Sequence, residues 1–175
     1  VGGNTIPNPK ELSRPGLEKG EEMAILGLRC SSKDFSYAVL DGTQDNPIVV
    51  NTNSVNFPKN YSKPLTLKWF YQEIETLIDS KDIKGIVMKG SEGTARRNKP
   101  FVERTEIETI PFLTGANKGI KNISKKVKST IAKDLGLKGK ANYLETKLDT
   151  TKIVDFSKYK INVQESIIAA WSELK

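Results

Sequence analysis

The run Met-Ala-Ile-Leu-Gly-Leu-Arg from Met23 to Arg29 is apolar almost throughout, the pattern of a strand buried on both faces. Ser31, Ser32, Lys33 and Asp34 interrupt it with a polar turn. Phe35 to Leu40 then alternates in part, up to the turn dipeptide Asp41-Gly42. Pro47 to Asn51 predicts a third short strand. Connections this short leave no room for a crossover, so the three strands form an antiparallel meander.

Helical spacing begins next. Leu67, Phe70, Tyr71, Ile74, Leu77 and Ile78 fall on one stripe, and Pro64 suits the first turn ahead of them. After the polar stretch 79–82, Ile83 to Met88 reads as a strand. Reached through a helical crossover, it should lie beside the first strand and parallel to it. A helix is expected from Phe101 to about Ile110, limited by Pro111. Ile120 and Ile123 mark a short strand, after which Ser124 is placed to cap a lysine-rich helix. That helix has Val127, Ile131 and Leu135 on its buried stripe and Gly136 beyond its end. Val163, Ile167, Ala170, Trp171 and Leu174 form the inner face of a terminal helix, and Asn162 with Glu165 has the form of a capping box. The expected order is β-β-β-α-β-α-β-α-α: an α/β fold with a mixed five-stranded sheet flanked by helices. Residues 1–22 carry three prolines, four glycines and few large apolar side chains, which predicts a flexible leader or linker ahead of a domain spanning 23–175.

Composition narrows the functions. A chain of 175 residues is the size of one ordinary domain with a real core. No stretch approaches the roughly 20 apolar residues of a membrane span, and the first residues lack the basic and apolar regions of a secretory signal. With no histidine, His-based triads, general bases and metal ligands are excluded. The single cysteine, Cys30, excludes an intramolecular disulfide, reads as a small core or strand-end residue, and suits a reducing cytoplasm. A net charge of +7 favours polyanionic partners. The excess is local, since residues 116–140 hold eight lysines against one acid, Asp134, whereas residues 11–22 hold four glutamates.

The element order and several short segments resemble a known fold family. Ile25-Leu26-Gly27-Leu28-Arg29, the polar turn and Phe35 to Leu40 resemble the opening hairpin of RuvC-like resolvases, within the RNase H-like superfamily. Ile86-Val87-Met88-Lys89-Gly90 resembles their fourth strand. Lys125-Lys126-Val127-Lys128 resembles the helix start after their fifth strand, and Glu165 to Trp171 resembles their final helix. A RuvC-related bacterial family of unknown function is similar in size and order. The resemblance implies two divalent ions held by an aspartate ending the first strand and a glutamate at or just beyond the fourth. Here those positions hold Arg29 and either Lys89 or Gly90, and only Glu165 remains acidic. Cations repel a divalent ion where ligands should attract it, so no metal or other cofactor is expected.

Three functions follow from these residues. The first is a catalytically inactive RNase H-like domain that binds DNA or RNA. Its candidate contacts are Arg29 and Lys89 at the strand ends, then Arg96, Arg97 and Lys99 in the loop after Gly90. Lys125, Lys126 and Lys128 on the lysine-rich segment complete the set. The bland alternatives are a strand-end Arg29 paired with Glu165, a solvated loop and a solvated helix face. The second function is a protein-interaction module of a larger assembly. The third is a Mg²⁺-dependent nuclease with relocated acids, for which Asp34, Glu92 and Glu165 are the candidates.

Overall fold

The computed structural model describes residues 24–138 and 140–175, and the expected leader lies outside them. One mixed sheet has the order β3-β2-β1-β4-β5. Its meander is β1 (Ala24–Cys30), β2 (Asp34–Gly42) and β3 (Pro47–Asn56), paired antiparallel. Helix α1 (Lys63–Lys81) crosses over to β4 (Ile83–Lys89), which pairs parallel to β1 as expected. Two helices, α2 (Lys99–Ile107) and α3 (Ile110–Asn117), lead to β5 (Asn122–Lys126), parallel to β4. The chain ends with α4 (Lys128–Asp134), the single turn α5 (Tyr143–Thr146), two 3₁₀ turns and α6 (Ile161–Trp171).

The sheet separates two cores. On one face α1 buries Phe70, Ile74 and Ile78 against Leu26, Leu28, Phe35 and Met88. On the other, α6 buries Val163, Ile167, Ala170 and Trp171 against Ile25, Ala38, Leu40 and Val87. Glycine at position 27 is what allows α6 so close. A Cβ there would lie 2.0 Å from the Ser166 carbonyl oxygen. The close approach is locked by the Ser166 hydroxyl, which donates to the Ser36 carbonyl at 3.0 Å.

Four local expectations are corrected. The helix from Phe101 is not ended by Pro111. It stops at Ile107, and Pro111 sits in the first turn of α3, where a missing N–H costs nothing. Ser124 does not cap a helix, because its backbone is committed to the β4 ladder opposite Val87, and α4 starts later, at Lys128. Asn162 and Glu165 form no capping box. Lys160 is the N-cap of α6, no side chain caps it, and the Glu165 carboxylate turns to Arg29. Strand β3 runs on past Asn51 to Asn56, because Phe35 pairs with Val55 and carries the ladder with it. Gly136 does end α4 as expected. Its φ is +76°, and the amides of Gly136 and Leu137 close back on the carbonyls of Lys133 and Ala132.

Candidate functional site

Parallel pairing of Leu28 with Met88 sends Arg29 and Lys89, the next residues, to the α6 side of the sheet at its carboxyl end. That edge is where open α/β sheets form their crevices. Each cation meets a carboxylate there. Arg29 Nε donates to Glu165 Oε2 at 2.8 Å, and its Nη1 reaches the Cys30 carbonyl. Lys89, almost fully buried, donates from Nζ to Glu92 Oε1 at 2.7 Å and to the Gly90 carbonyl at 2.6 Å. The same Glu92 oxygen accepts the backbone N–H of Lys128 at 3.2 Å, and Lys128 Nζ donates to Glu145 Oε1 at 3.0 Å.

Three cations and three carboxylates thus alternate across one crevice. The electrostatics follow from that alternation. Lys128 is held above its ordinary pKa, first by its hydrogen bond to Glu145 and, against the cost of burial, by the charges of Glu145, Glu165 and Glu92. Burial pushes Glu92 upward, but the hydrogen bonds from Lys89 and from the Lys128 amide outweigh it and leave the carboxyl below its ordinary range. Each of the six groups faces an opposite charge.

The remaining sequence candidates divide into paired and free. Lys126 is buried and bridges Asp134 at 2.8 Å, Glu173 at 2.5 Å and the Ser172 hydroxyl at 3.2 Å. Lys125 pairs with Glu108, and Lys99 lies 3.9 Å from Glu103. Arg96 and Arg97 are exposed and make no ion pair among the described residues. Asp34 is turned aside, its Oδ1 accepting the Ser31 hydroxyl at 2.7 Å. No three potential metal ligands are brought together among the described residues. The donor set at the strand ends therefore does not fit a pair of divalent ions, because the acids it contains are already neutralised by Arg29, Lys89 and Lys128.

Sequence reasoning missed two features. Arg104 and Glu108 form a buried pair at 2.6 Å, and Arg104 Nη2 also donates to the Lys89 carbonyl at 2.9 Å, tying α2 to the end of β4. Glu108 Oε2 lies against the Lys125 ammonium without hydrogen-bond alignment. The i,i+4 spacing of Arg104 and Glu108 was the available signal. The second feature is a cavity of about 360 Å³ beside the crevice, bounded by Lys89, Lys128, Glu145 and Glu165 on one side. Ile131, Leu144, Phe156, Ile161 and Ile168 form its apolar wall. Those side chains come from the segment spanning α4 to α6, and of them the sequence reading placed only Ile131, on a buried helix stripe, and Ile168, in the terminal helix.

Solved structures share this fold. Thermus thermophilus RuvC superposes with a TM-score of 0.71 at 8% identity, covering 86% of this chain and 92% of that one. The same protein bound to a Holliday junction substrate gives 0.68 at 7%, with 86% and 91% covered. The fold is RuvC-like. A yeast mitochondrial Holliday junction resolvase also matches, with a TM-score of 0.59 at 14% identity, covering 86% of this chain and 77% of that chain. No protein-family profile and no curated protein sequence matches the chain. The RuvC-like, RNase H-type sheet order expected from the sequence is therefore the one found, while identities this low carry no residue roles with them. Among the described residues no helix is long and apolar enough to cross a membrane.

Proposed function

We propose that this chain is a RuvC-like domain without metal-dependent nuclease chemistry that binds DNA or RNA through backbone phosphates. The observation that carries the first half is the self-neutralised crevice, where Arg29, Lys89 and Lys128 stand among Glu92, Glu145 and Glu165. The Lys128 ammonium takes the electrostatic place a metal would need. The nuclease reading with Asp34, Glu92 and Glu165 gains no support from this geometry, since each of those carboxylates has its own partner.

The phosphate contacts are assigned to exposed cations without a carboxylate partner. Arg96 and Arg97 lie in the loop after β4, and Lys133, Lys138, Lys140 and Lys147 follow one another from α4 to α5. Arg29, Lys89, Lys125 and Lys126 have little charge left to offer, because their partners lie within the fold. A cytoplasmic setting is part of the same proposal and rests on the buried, unpaired Cys30.

Fluorescence anisotropy with single-stranded, duplex and four-way-junction DNA and RNA, run across salt, tests the binding. Incubation of the same substrates with Mg²⁺ or Mn²⁺ tests the chemistry. Salt-sensitive binding without cleavage is the expected result. Cleavage abolished by Glu165→Gln would overturn the first half, and absence of binding at low salt would overturn the second. In that second case a protein partner becomes the better reading, favoured by the highly exposed apolar side chains of Val154 and Ile161.

A further inference from the structure

The cavity beside the crevice has a chemistry of its own, distinct from that of a phosphate cradle. At about 360 Å³ it falls in the size range of small-molecule pockets, ~300–1,000 Å³. Every charged group on its border is already matched by an opposite one, so a phosphate entering it would meet Glu145 and Glu165 as well as Lys89 and Lys128. An uncharged, largely apolar body with polar edges suits it better.

We propose that this cavity accepts a single unstacked nucleobase, while the sugar–phosphate backbone stays outside on the free cations of the rim. The proposal rests on the nucleic-acid reading above and names the part of the polymer that the site takes. Phe156 contributes an aromatic side chain to the lining, the residue type on which bases stack, and aliphatic side chains close the remaining wall. Gln164 spends its amide hydrogens on the carbonyls of Phe156 and Tyr159, at 3.2 and 2.9 Å, which leaves Oε1 as an acceptor for a base edge. The Ser157 hydroxyl at the mouth adds a group that can donate or accept.

The rim carries the complementary charge. Lys147 follows the cavity-lining Glu145 by two residues and Lys160 precedes the cavity-lining Ile161 by one. Both lysines are exposed, and neither makes an ion pair among the described residues. Ile161, 68% exposed beside them, is an apolar wedge of the kind that props an unstacked step open.

The test uses the full chain and three duplexes, made in DNA and in RNA: fully paired, with one bulged adenine, and with the same bulge abasic. The adenine bulge should bind roughly tenfold more tightly than the abasic bulge, the size expected for one stacked base. Ser157→Trp, at an exposed position where folding is not at stake, should erase that preference while leaving the affinity for the paired duplex unchanged. Phe156→Ala should weaken the preference from inside the cavity. Equal affinity for the adenine and abasic bulges, or a preference that survives Ser157→Trp, overturns the base-accepting cavity alone. Failure of all three duplexes to bind overturns the cavity proposal, and failure of the single-stranded and four-way-junction probes as well overturns the nucleic-acid reading on which it rests.

Discussion

Gly27→Ala is the substitution for which the structure gives the firmest magnitude. The added Cβ would stand 2.0 Å from the Ser166 carbonyl oxygen and 2.9 Å from both the backbone nitrogen and the Cβ of Ala170. Two of these three atoms are backbone, so no rotamer change relieves the clash, and α6 must retreat from β1 by about 1 Å or more to restore contact distance. Overpacking of a close-packed interior costs about 1–3 kcal/mol, and this site belongs at the upper end because the whole helix must move. Replacing glycine within a strand returns roughly 0.5–1 kcal/mol of backbone entropy. The net loss should be about 2–2.5 kcal/mol, which for a domain of this size lowers Tm by roughly 4–10 °C. Urea unfolding followed by circular dichroism measures it, with Gly93→Ala as the control because nothing lies within 4 Å of a Cβ there. A Gly27→Ala loss no larger than that of Gly93→Ala would refute the claim that this glycine sets the distance between α6 and the sheet. The helix also carries Glu165, so the same variant should loosen the Arg29 pair.

The paired and unpaired charges and the buried thiol carry the remaining predictions. Glu165→Gln leaves Arg29 without its carboxylate, and should raise nucleic-acid affinity and steepen its salt dependence at a stability cost of about 1 kcal/mol; an unchanged or weaker affinity in anisotropy would count against the crevice reading. Lys126→Met strands Asp134 and Glu173 and should cost about 3 kcal/mol in urea unfolding without altering the salt slope of binding, whereas Arg97→Glu should reduce that slope by one or two units and leave stability within about 0.5 kcal/mol. Glu92 has its folded-state pKa lowered, so the stability it contributes is present above its unfolded pKa and disappears as pH falls through the folded value; acid titration of Glu92→Gln should show a shallower loss than the parent. Burial, reinforced by the charge of Glu108, pushes the Cys30 thiol up to about 12, so the folded protein should resist iodoacetamide at pH 8 and react once unfolded in urea.

The sheet was legible because its signals are local. Apolar runs at 24–30 and 83–89 are buried on both faces, and the short turns after the first two strands allow only antiparallel neighbours. The α1 stripe was legible for the same reason, with Phe70, Ile74 and Ile78 buried as its periodicity predicts. Between β4 and β5 the signals compete. Pro111 reads equally as the end of one helix or the start of the next, and Ser124 reads equally as a cap or a strand residue. Only the pairing of Ser124 with Val87 decides the latter, and a single sequence does not contain that pairing. The capping box failed in the same way. Glu165 fits the local motif, but an arginine 136 positions away makes the stronger charge-assisted bond.

That last contest explains why a lysine count misplaces a polyanion-binding surface. Lys125, Lys126 and Lys128 are three cations within four residues, a density that only Arg96, Arg97 and Lys99 equal, yet their partners, Glu108, Glu173 and Glu145, are brought to them only by the fold. A cation paired at hydrogen-bond distance offers little field beyond the ~8 Å screening length of physiological salt. Footprint and composition therefore separate. The residues able to release counterions on binding are those that the fold leaves without an acid, and the six assigned to phosphate contacts above, Arg96, Arg97, Lys133, Lys138, Lys140 and Lys147, belong to that set. If all six engage a DNA duplex, log K against log salt should have a slope of at most about −5. A steeper slope would require more cations, either unpaired ones such as Lys160 or crevice cations that exchange their carboxylates for phosphates, and in the latter case Glu165→Gln would leave the slope unchanged rather than steepen it.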